Sequence, residues 1–289
     1  MKNHSPIWFG LLYPSADTAM TLPAGEKRFG LEFDYSNIFF LKKSDEWHFR
    51  IDMEIAQYTF NSRFGFDNGY EAGFELSAFR YTAGFLDDEI INFHNTFGFP
   101  NYDGQVEEPR DRFLYTIEHY GDAWNPGEPG ELTPGDTTFW VKKRVRETND
   151  WLISAKTMVQ APTAPTVGGV GNGSWEWGAL LLADKSFPTI DSYFSLGFVD
   201  PGYMNRGEKY RLDTYYFFKA GGTYSLSNRY SLVLQGTLAS IPLYWYYEWG
   251  AVTAGLEYKT KSGITAVFAI LEDLSKTAPD FTTHLSITF

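Results

Sequence analysis

Apolar and polar side chains alternate with a period of two along most of the chain. The alternation is clearest near the C-terminus, where Phe281, Thr283, Leu285, Ile287 and Phe289 are separated by polar residues. Successive side chains of a β-strand point to opposite faces, so this pattern predicts strands with one apolar and one polar face. Thirteen segments follow it, near residues 27–40, 46–61, 70–84, 111–120, 136–147, 150–161, 174–184, 188–199, 209–225, 228–241, 247–260, 263–272 and 280–289.

The polar faces of these strands are too charged for the core of a soluble sandwich. His48, Arg50, Asp52 and Glu54 follow one another on a single face, opposite apolar residues. Buried charges require partners, whereas charges on the wall of a wet lumen do not. Short connections also alternate with longer ones rich in Pro and Gly, as in outer-membrane barrels. We therefore predict an all-β fold, a closed antiparallel transmembrane β-barrel that occupies residues 1–289 as a single domain.

The strand count has two solutions. Thirteen is odd, whereas bacterial single-chain barrels are usually even. Residues 6–12 could add a strand and give fourteen, which is the prediction, and twelve is the alternative. With the terminal Phe289 and the short turns on the periplasmic side, the fourteen-strand solution places the connection 87–110 on that side too.

Composition agrees with a barrel and excludes several other classes. The chain has 289 residues, a formal net charge of −12, 18% aromatic residues and no Cys. Its mean hydropathy is −0.31, and no apolar run approaches the roughly 18 residues of a transmembrane helix. Without Cys there is no disulfide scaffold or Cys-ligated metal site. The acidic balance argues against nucleic acid as a partner.

Three segments carry a resemblance to known proteins. The end of the chain, Leu285-Ser286-Ile287-Thr288-Phe289, resembles the C-terminal assembly signal of Gram-negative outer-membrane proteins. Residues 3–6 and 85–101 resemble an uncharacterised family of such barrels, which has no established activity. The resemblance implies the bacterial outer membrane, with its lipid, lipopolysaccharide and barrel-assembly machinery as partners. Residues 7–12 are too short for the apolar core of a signal peptide, so we expect that a leader has been removed.

One connection has helical rather than strand periodicity. Asp87, Asp88 and Glu89 provide the negative charge that suits a helix N-terminus. An apolar face at helical spacing follows, and Gly98 and Pro100 end it; this face comprises Ile90, Ile91, Phe93, His94 and Phe97. We predict a short amphipathic helix within residues 86–100. The insert 86–110 would plug the lumen or cap its mouth, with the membrane interface as a third location.

The lumen wall supplies the functional prediction. Alternation assigns to it a mainly acidic arc and then a basic arc. The acidic arc comprises Glu32, Asp34, His48, Arg50, Asp52, Glu54, Glu71, Glu75 and Glu118, and the basic arc Lys142, Arg144, Arg146 and Lys156. Adjacent arcs of opposite sign would create a field across a pore and set an ion preference. Alternatively, the charges neutralise one another as cross-strand pairs.

These features predict an outer-membrane channel for the passive diffusion of small polar or ionic solutes, partly occluded by the insert. A lipid-modifying enzyme and a structural barrel without transport are the alternatives. The chain has no G-x-S-x-G or H-E-x-x-H motif, and its acidic clusters match no cation-binding loop. We therefore expect no catalytic residues, no cofactor and no metal site.

Overall fold

A computed structural model describes residues 4, 10–98, 107–124, 127–165, 169–206, 208–240, 242, 249–275 and 281–289. They form β1 (Lys27–Lys43), β2 (Trp47–Phe66), β3 (Tyr70–Thr82), α1 (Asp87–Phe97), β4 (Leu114–His119), β5 (Asp122–Trp124), β6 (Leu132–Pro134), β7 (Thr137–Glu147), β8 (Leu152–Ala161), β9 (Glu176–Ser186), β10 (Ile190–Asp200), β11 (Tyr203–Arg206), β12 (Glu208–Arg211), β13 (Tyr215–Ser225), β14 (Tyr230–Ala239), β15 (Trp249–Lys259), β16 (Thr265–Asp273) and β17 (Phe281–Thr288). A single 3-10 turn, Asp67–Gly69, joins β2 to β3. Within this part of the chain, no helix has the length and apolarity needed to cross a bilayer.

Twelve of the strands form a closed antiparallel ring. Its order is β1-β2-β3-β7-β8-β9-β10-β13-β14-β15-β16-β17, and β17 pairs with β1 to complete it. At the seam, Phe29 and Phe289 exchange both backbone hydrogen bonds at 2.9 Å. The closed antiparallel barrel is therefore confirmed with twelve strands, the alternative count, and the count of fourteen is wrong.

Two segments account for the error in the count. The alternating segment 111–120 forms β4, which pairs with the first residues of β2 and with β5 rather than joining the ring. The proposed additional strand 6–12 is not present where the structure describes it, because residues 10–12 form no strand; residues 6–9 lie outside the described part. Neither β4 nor residues 10–12 belong to the ladder of the ring.

The two ends of the ring differ in their connections. Phe289 lies at the end where connections are short, including Asp67–Gly69, and we call this the turn end. The opposite end, the loop end, carries the longer connections and also the β1–β2 hairpin. The connection that contains α1 follows β3 and lies at the loop end, so its placement beside the short turns is wrong. The fourteen-strand prediction counts 111–120 as a strand of the ring, and this extra strand reverses the predicted direction of every strand before it.

The outer surface of the ring is a belt of apolar side chains. Outward positions of β9, β10 and β13 to β17 carry large, solvent-exposed apolar residues, among them Leu181, Leu196, Phe218, Leu234, Leu256, Phe268 and Leu285. Alternating outward apolar residues are the pattern expected of a strand that faces lipid on one side.

The hairpin of β1 and β2 extends beyond the ring at the loop end. Together with β4 and two loops it encloses a second apolar cluster, which includes Phe40, Phe49, Ile51, Tyr115 and Val170. Inward positions of β2 are therefore apolar near the loop end, from Trp47 to Ile55. Lower in the ring the same face becomes polar, because Gln57 and Thr59 share the parity of those residues. We call the apolar region the loop-end cap.

Close packing at one inward glycine gives a test of the ring. A Cβ on Gly73 would lie 2.0 Å from the Ser62 carbonyl oxygen and 2.5 Å from the Trp140 ring. Gly73→Ala should lower the free energy of unfolding by about 1–3 kcal/mol, the usual cost of overpacking. Thermal unfolding in detergent would measure this.

Gly236→Ala is the matched control, because no atom lies within 4 Å of a Cβ built there. It should leave the unfolding temperature nearly unchanged. Equal effects of the two substitutions would contradict the described packing of β2, β3 and β7.

Candidate functional site

The lumen contains part of the protein's own chain. Residues 10–26, which we call the lumen segment, precede β1 and run along the inside of the ring. At the loop end Gly10 packs against the backbone of Gly171. At the turn end the Gly25 amide donates a hydrogen bond of 3.0 Å to the Gly65 carbonyl oxygen. The segment thus follows the full height of the barrel.

A cluster of buried charges fixes the middle of the lumen segment. The Asp17 carboxylate lies 2.9 Å from Lys156 Nζ, 3.2 Å from Lys142 Nζ and 3.8 Å from the Arg63 guanidinium. A second carboxylate, Glu71, lies 2.7 Å from Arg63 and 3.5 Å from Lys142. The side chains of Lys142 and Glu71 have no exposed surface. Buried charges are tolerated when they are paired in this way, and removal of one partner is costly.

Side chains of the wall also satisfy the backbone of the lumen segment. The amides of Leu12, Ala19 and Leu22 donate to carboxylates of the wall at 2.7, 2.8 and 2.6 Å. The accepting groups are Glu176, Asp184 and Glu71 respectively. In the other direction, the carbonyl oxygens of Leu12, Pro14 and Ala19 accept hydrogen bonds from Tyr215, Lys219 and Ser154. Buried backbone groups need such partners, and here side chains supply what a neighbouring strand would otherwise supply.

One arc of the lumen wall is apolar and packs against the lumen segment. Leu12, Tyr13 and Ala19 join a buried cluster with inward residues of the wall. The rings of Tyr13 and Trp249 meet edge to face with centroids 5.7 Å apart, and Lys219 Nζ lies 4.1 Å from the centre of the Tyr13 ring. The wall residues of this apolar arc are Trp140, Leu152, Met158, Leu180, Leu182, Val199, Tyr215, Phe217, Ala239, Trp249, Ala251 and Leu271.

The other arc, formed by β17, β1, β2 and β3, is polar and hydrogen-bonded. His284 Nδ1 lies 2.7 Å from Asp34 Oδ1, and Asn61 donates to Glu32 at 2.7 Å. The wall hydroxyls and amides of this polar arc are Ser36, Gln57, Thr59, Ser77 and Thr282. His4 bridges Ser36 and Gln57 across β1 and β2. The lumen wall is therefore mainly apolar along one arc, where charged side chains such as Lys142, Lys156 and Glu176 interrupt it, and hydrophilic along the other.

The structure places the predicted wall residues in three groups. Six of them face the lumen: Glu32, Asp34, Glu71, Glu75, Lys142 and Lys156. Two arginines lie exposed near the turn end, where Arg144 pairs with Glu147 at 3.0 Å and Arg146 follows a register shift in β7. The remaining five residues lie on the outside of the hairpin: His48, Arg50, Asp52, Glu54 and Glu118.

The inward assignment of these five residues is wrong. His48 pairs with Glu118 at 3.4 Å, and Asp52 pairs with Arg112 at 3.0 Å. All lie in the part of the chain that encloses the loop-end cap, where the interior is apolar and the exterior polar. The apolar residues of β2 from Trp47 to Ile55 face this dry protein interior. Alternation alone does not distinguish such an interior from lipid.

The helix α1 packs against the outside of the wall rather than in the lumen. Asn37 donates to Asp87 at 2.8 Å, His94 lies 3.2 Å from Glu272, and the Phe93 and Phe281 rings are 6.2 Å apart. Asn37, Glu272 and Phe281 all have the parity of outward residues in their strands.

The predicted helix residues have different surroundings. Ile91 and His94 are buried, Asp88 pairs with Arg110 at 3.1 Å, and Phe97 is 67% exposed. The helix therefore exists, but its predicted role as a lumen plug is corrected for the described residues; residues 99–106 of the insert lie outside them. Sequence reasoning instead missed the lumen segment, because residues 10–26 lack any periodicity that would mark a contact with the wall.

A twelve-stranded closed ring with an apolar outer belt defines the class of outer-membrane β-barrels. The chain belongs to the family described as protein of unknown function (DUF3187), whose model matches residues 1–289. A comparison with curated proteins found no match.

Solved structures share the fold at low sequence identity. The COG4313 outer membrane channel from Pseudomonas putida F1 is 12% identical, with a TM-score of 0.62, and the match covers 95% of this chain and 98% of that one. The NanC porin is 9% identical, with a TM-score of 0.52, and the match covers 90% and 97% of the two chains. These similarities establish the architecture of the barrel.

The reversed polarity of β2 can be tested by two neighbouring substitutions. Ile51 is fully buried in the loop-end cap, whereas Arg50 is exposed on the outside. Ile51→Asp would bury an unpaired charge and should destabilise the protein by more than about 3 kcal/mol. Arg50→Asp should change stability little. Thermal unfolding of both variants would measure the two losses of stability. A larger loss in Arg50→Asp than in Ile51→Asp would contradict the described orientation.

Proposed function

We propose that the protein is an outer-membrane channel for small polar or ionic solutes, closed in this state by its own lumen segment. One observation carries the proposal: apart from the backbone bonds of Gly25 and Glu26 with Gly65 at the turn end, residues 10–26 are held in the lumen by side-chain contacts and an ion cluster. A segment attached in this way can leave without breaking the barrel, because the ring is closed independently by β17 and β1.

The polarity of the wall supports a hydrophilic passage. Withdrawal of the lumen segment would open a space bordered by the polar arc, with Glu32, Asp34 and Glu75, and by Lys142 and Lys156 on the adjoining strands β7 and β8. Neighbouring arcs of opposite sign create a field within a pore, which orients dipolar solutes and favours some ions over others. The similarity in fold to a channel and a porin agrees with this proposal.

The closed state has two barriers. The lumen segment occupies the ring, and the loop-end cap covers its mouth, with Leu11 contributing to the cap. Because Leu11 belongs to the cap and Leu12 to the apolar arc, movement of the segment would disturb both barriers together. We infer that opening requires displacement of the segment and loosening of the cap.

Asp17→Asn should shift the equilibrium of the channel from the closed state towards an open one. The change removes the carboxylate that pairs with Lys142, Lys156 and Arg63, and loss of one partner of a buried ion pair costs about 3–5 kcal/mol. In planar bilayers, the wild type should show rare openings and the variant frequent, larger steps.

Asp150→Asn is the control, because it makes the same chemical change at an exposed position of a turn. It should conduct like the wild type. An Asp17→Asn barrel that stays as closed as the wild type would contradict the proposal.

A reversible cross-link separates gating from general destabilisation. Ser154 donates to the Ala19 carbonyl oxygen, and the chain contains no Cys, so Ala19→Cys with Ser154→Cys introduces one defined pair. The oxidised form should not conduct, and reduction should restore wild-type openings. Equal conductance in both redox states would exclude displacement of the lumen segment as the opening step.

We also propose that α1 anchors the barrel at the lipid interface. The helix lies on the outer wall near the loop end, and Phe85 and Phe97 are 66% and 67% exposed there. Aromatic side chains at this level resemble the girdle that such barrels place at the membrane surface. Outer-membrane lipid and lipopolysaccharide are the partners that this location offers.

Replacement of residues 88–97 by a short Gly/Ser linker should therefore leave single-channel conductance unchanged. The reason is that the wall residues described in contact with α1, Asn37, Glu272 and Phe281, are outward ones. The same recordings in planar bilayers provide the measurement. An increase in conductance would instead restore the insert as a plug.

A further inference from the structure

A group of metal-ligand side chains lies on the polar arc, across the seam that closes the ring. Glu32, Asp34 and His284 each offer a ligand atom, and these atoms lie within 4.8 Å of one another. Asp34 and His284 face each other directly in the pairing of β1 with β17, and Glu32 is two residues from Asp34 on the same face. The arrangement is set by the backbone register, so it does not depend on a flexible loop.

One buried oxygen of this group lacks a partner. Asp34 is fully buried, and its Oδ1 accepts from His284 at 2.7 Å. No described residue donates a hydrogen bond to Asp34 Oδ2. An unsatisfied buried carboxylate oxygen is costly, and a cation would satisfy it.

Four basic side chains of the lumen wall pair with groups other than Glu32 and Asp34. Arg63, Lys142 and Lys156 pair with Asp17 and Glu71, and Lys219 donates to the Pro14 carbonyl oxygen. Glu32 and Asp34 therefore form ion pairs with none of these four. Asn61 holds Glu32 in place through its hydrogen bond of 2.7 Å, and Gly30 provides room because a Cβ there would lie 2.5 Å from Asn61 Oδ1.

We propose that Glu32, Asp34 and His284 bind a divalent transition-metal ion. One imidazole with two carboxylates suits Zn²⁺ and similar ions better than Ca²⁺, which prefers oxygen ligands only. Ligand bonds of about 2.1 Å place tetrahedral ligand atoms about 3.4 Å apart. From separations of up to 4.8 Å, these atoms need to close by at most about 1.4 Å. Ligation through Nδ1 replaces the hydrogen bond of 2.7 Å between His284 and Asp34, and its proton leaves to solvent. Asn61 would not bind the ion itself, but its hydrogen bond to Glu32 would orient that ligand.

The test is isothermal titration calorimetry of the full chain in detergent, stripped of metal and titrated with Zn²⁺ at neutral pH. We expect one Zn²⁺ per chain, with binding weakened at least about tenfold by His284→Gln or Glu32→Gln. Asn61→Ala should weaken binding about 10–100-fold, as is typical for an outer-shell partner. Ca²⁺ should bind more weakly than Zn²⁺.

His48→Gln is the matched control, because His48 lies on the outer face of the hairpin beside Glu118. It should leave the affinity unchanged. Absence of Zn²⁺ binding, or affinity lost with His48 but retained without His284, would overturn the proposal.

A second measurement covers variants that assemble poorly. Zn²⁺ that binds the folded barrel should raise the thermal unfolding temperature of the wild type and His48→Gln, in proportion to its concentration. The same concentration should leave His284→Gln unmoved. A shift of equal size in all three proteins would also overturn the proposal. Neither measurement depends on conductance, so the metal site and the channel proposal can fail separately.

Discussion

Closure of the sheet between β17 and β1 is the constraint on which the rest of the molecule depends. In hydrocarbon every backbone N–H and C=O must find a partner within the protein, and a closed ring achieves this without any edge. Phe29 and Phe289 exchange hydrogen bonds at the seam and so remove the last two edges. A closed ring also has an interior that must contain either water or protein. Here residues 10–26 occupy one side of it, and this explains why wall side chains, rather than strands, satisfy their backbone.

The change of polarity along β2 shows that an apolar strand face can border either lipid or a dry protein interior. Within the ring the inward face carries Gln57 and Thr59, and the outward face meets the membrane. Near the loop end the inward face carries Ile51 and Met53, because the loop-end cap is dry and the outside is wet. Alternation identifies the strand in both halves. Whether its apolar residues point inward or outward depends on which side of the strand is exposed to water. The hairpin therefore behaves as a membrane strand at one end and as a strand of a soluble domain at the other.

The same distinction explains how far the sequence could predict the structure. Each of the twelve ring strands coincides with most of one alternating segment, because every one of them separates two different environments. The segment that became β4 alternates for the same reason, so its exclusion from the ring could not be seen locally. The lumen segment could not be predicted at all. Its contacts join residues far apart in the chain, such as Leu12 with Glu176, and no period links them. The sequence predicts the amphipathic face of α1, but it does not predict which side of the wall the helix covers.

The lumen wall holds the lumen segment by two different kinds of attachment. Apolar packing of Leu12 and Tyr13 is favourable but imposes little register, because hydrophobic burial is not directional. The ion cluster around Asp17 does impose register, since a shift along the wall would leave Lys142 and Lys156 buried without a counter-ion. The segment is thus located by its charge and held by its apolar side chains. Displacement has to overcome both terms at once, and this favours a lumen that is either fully occupied or fully released.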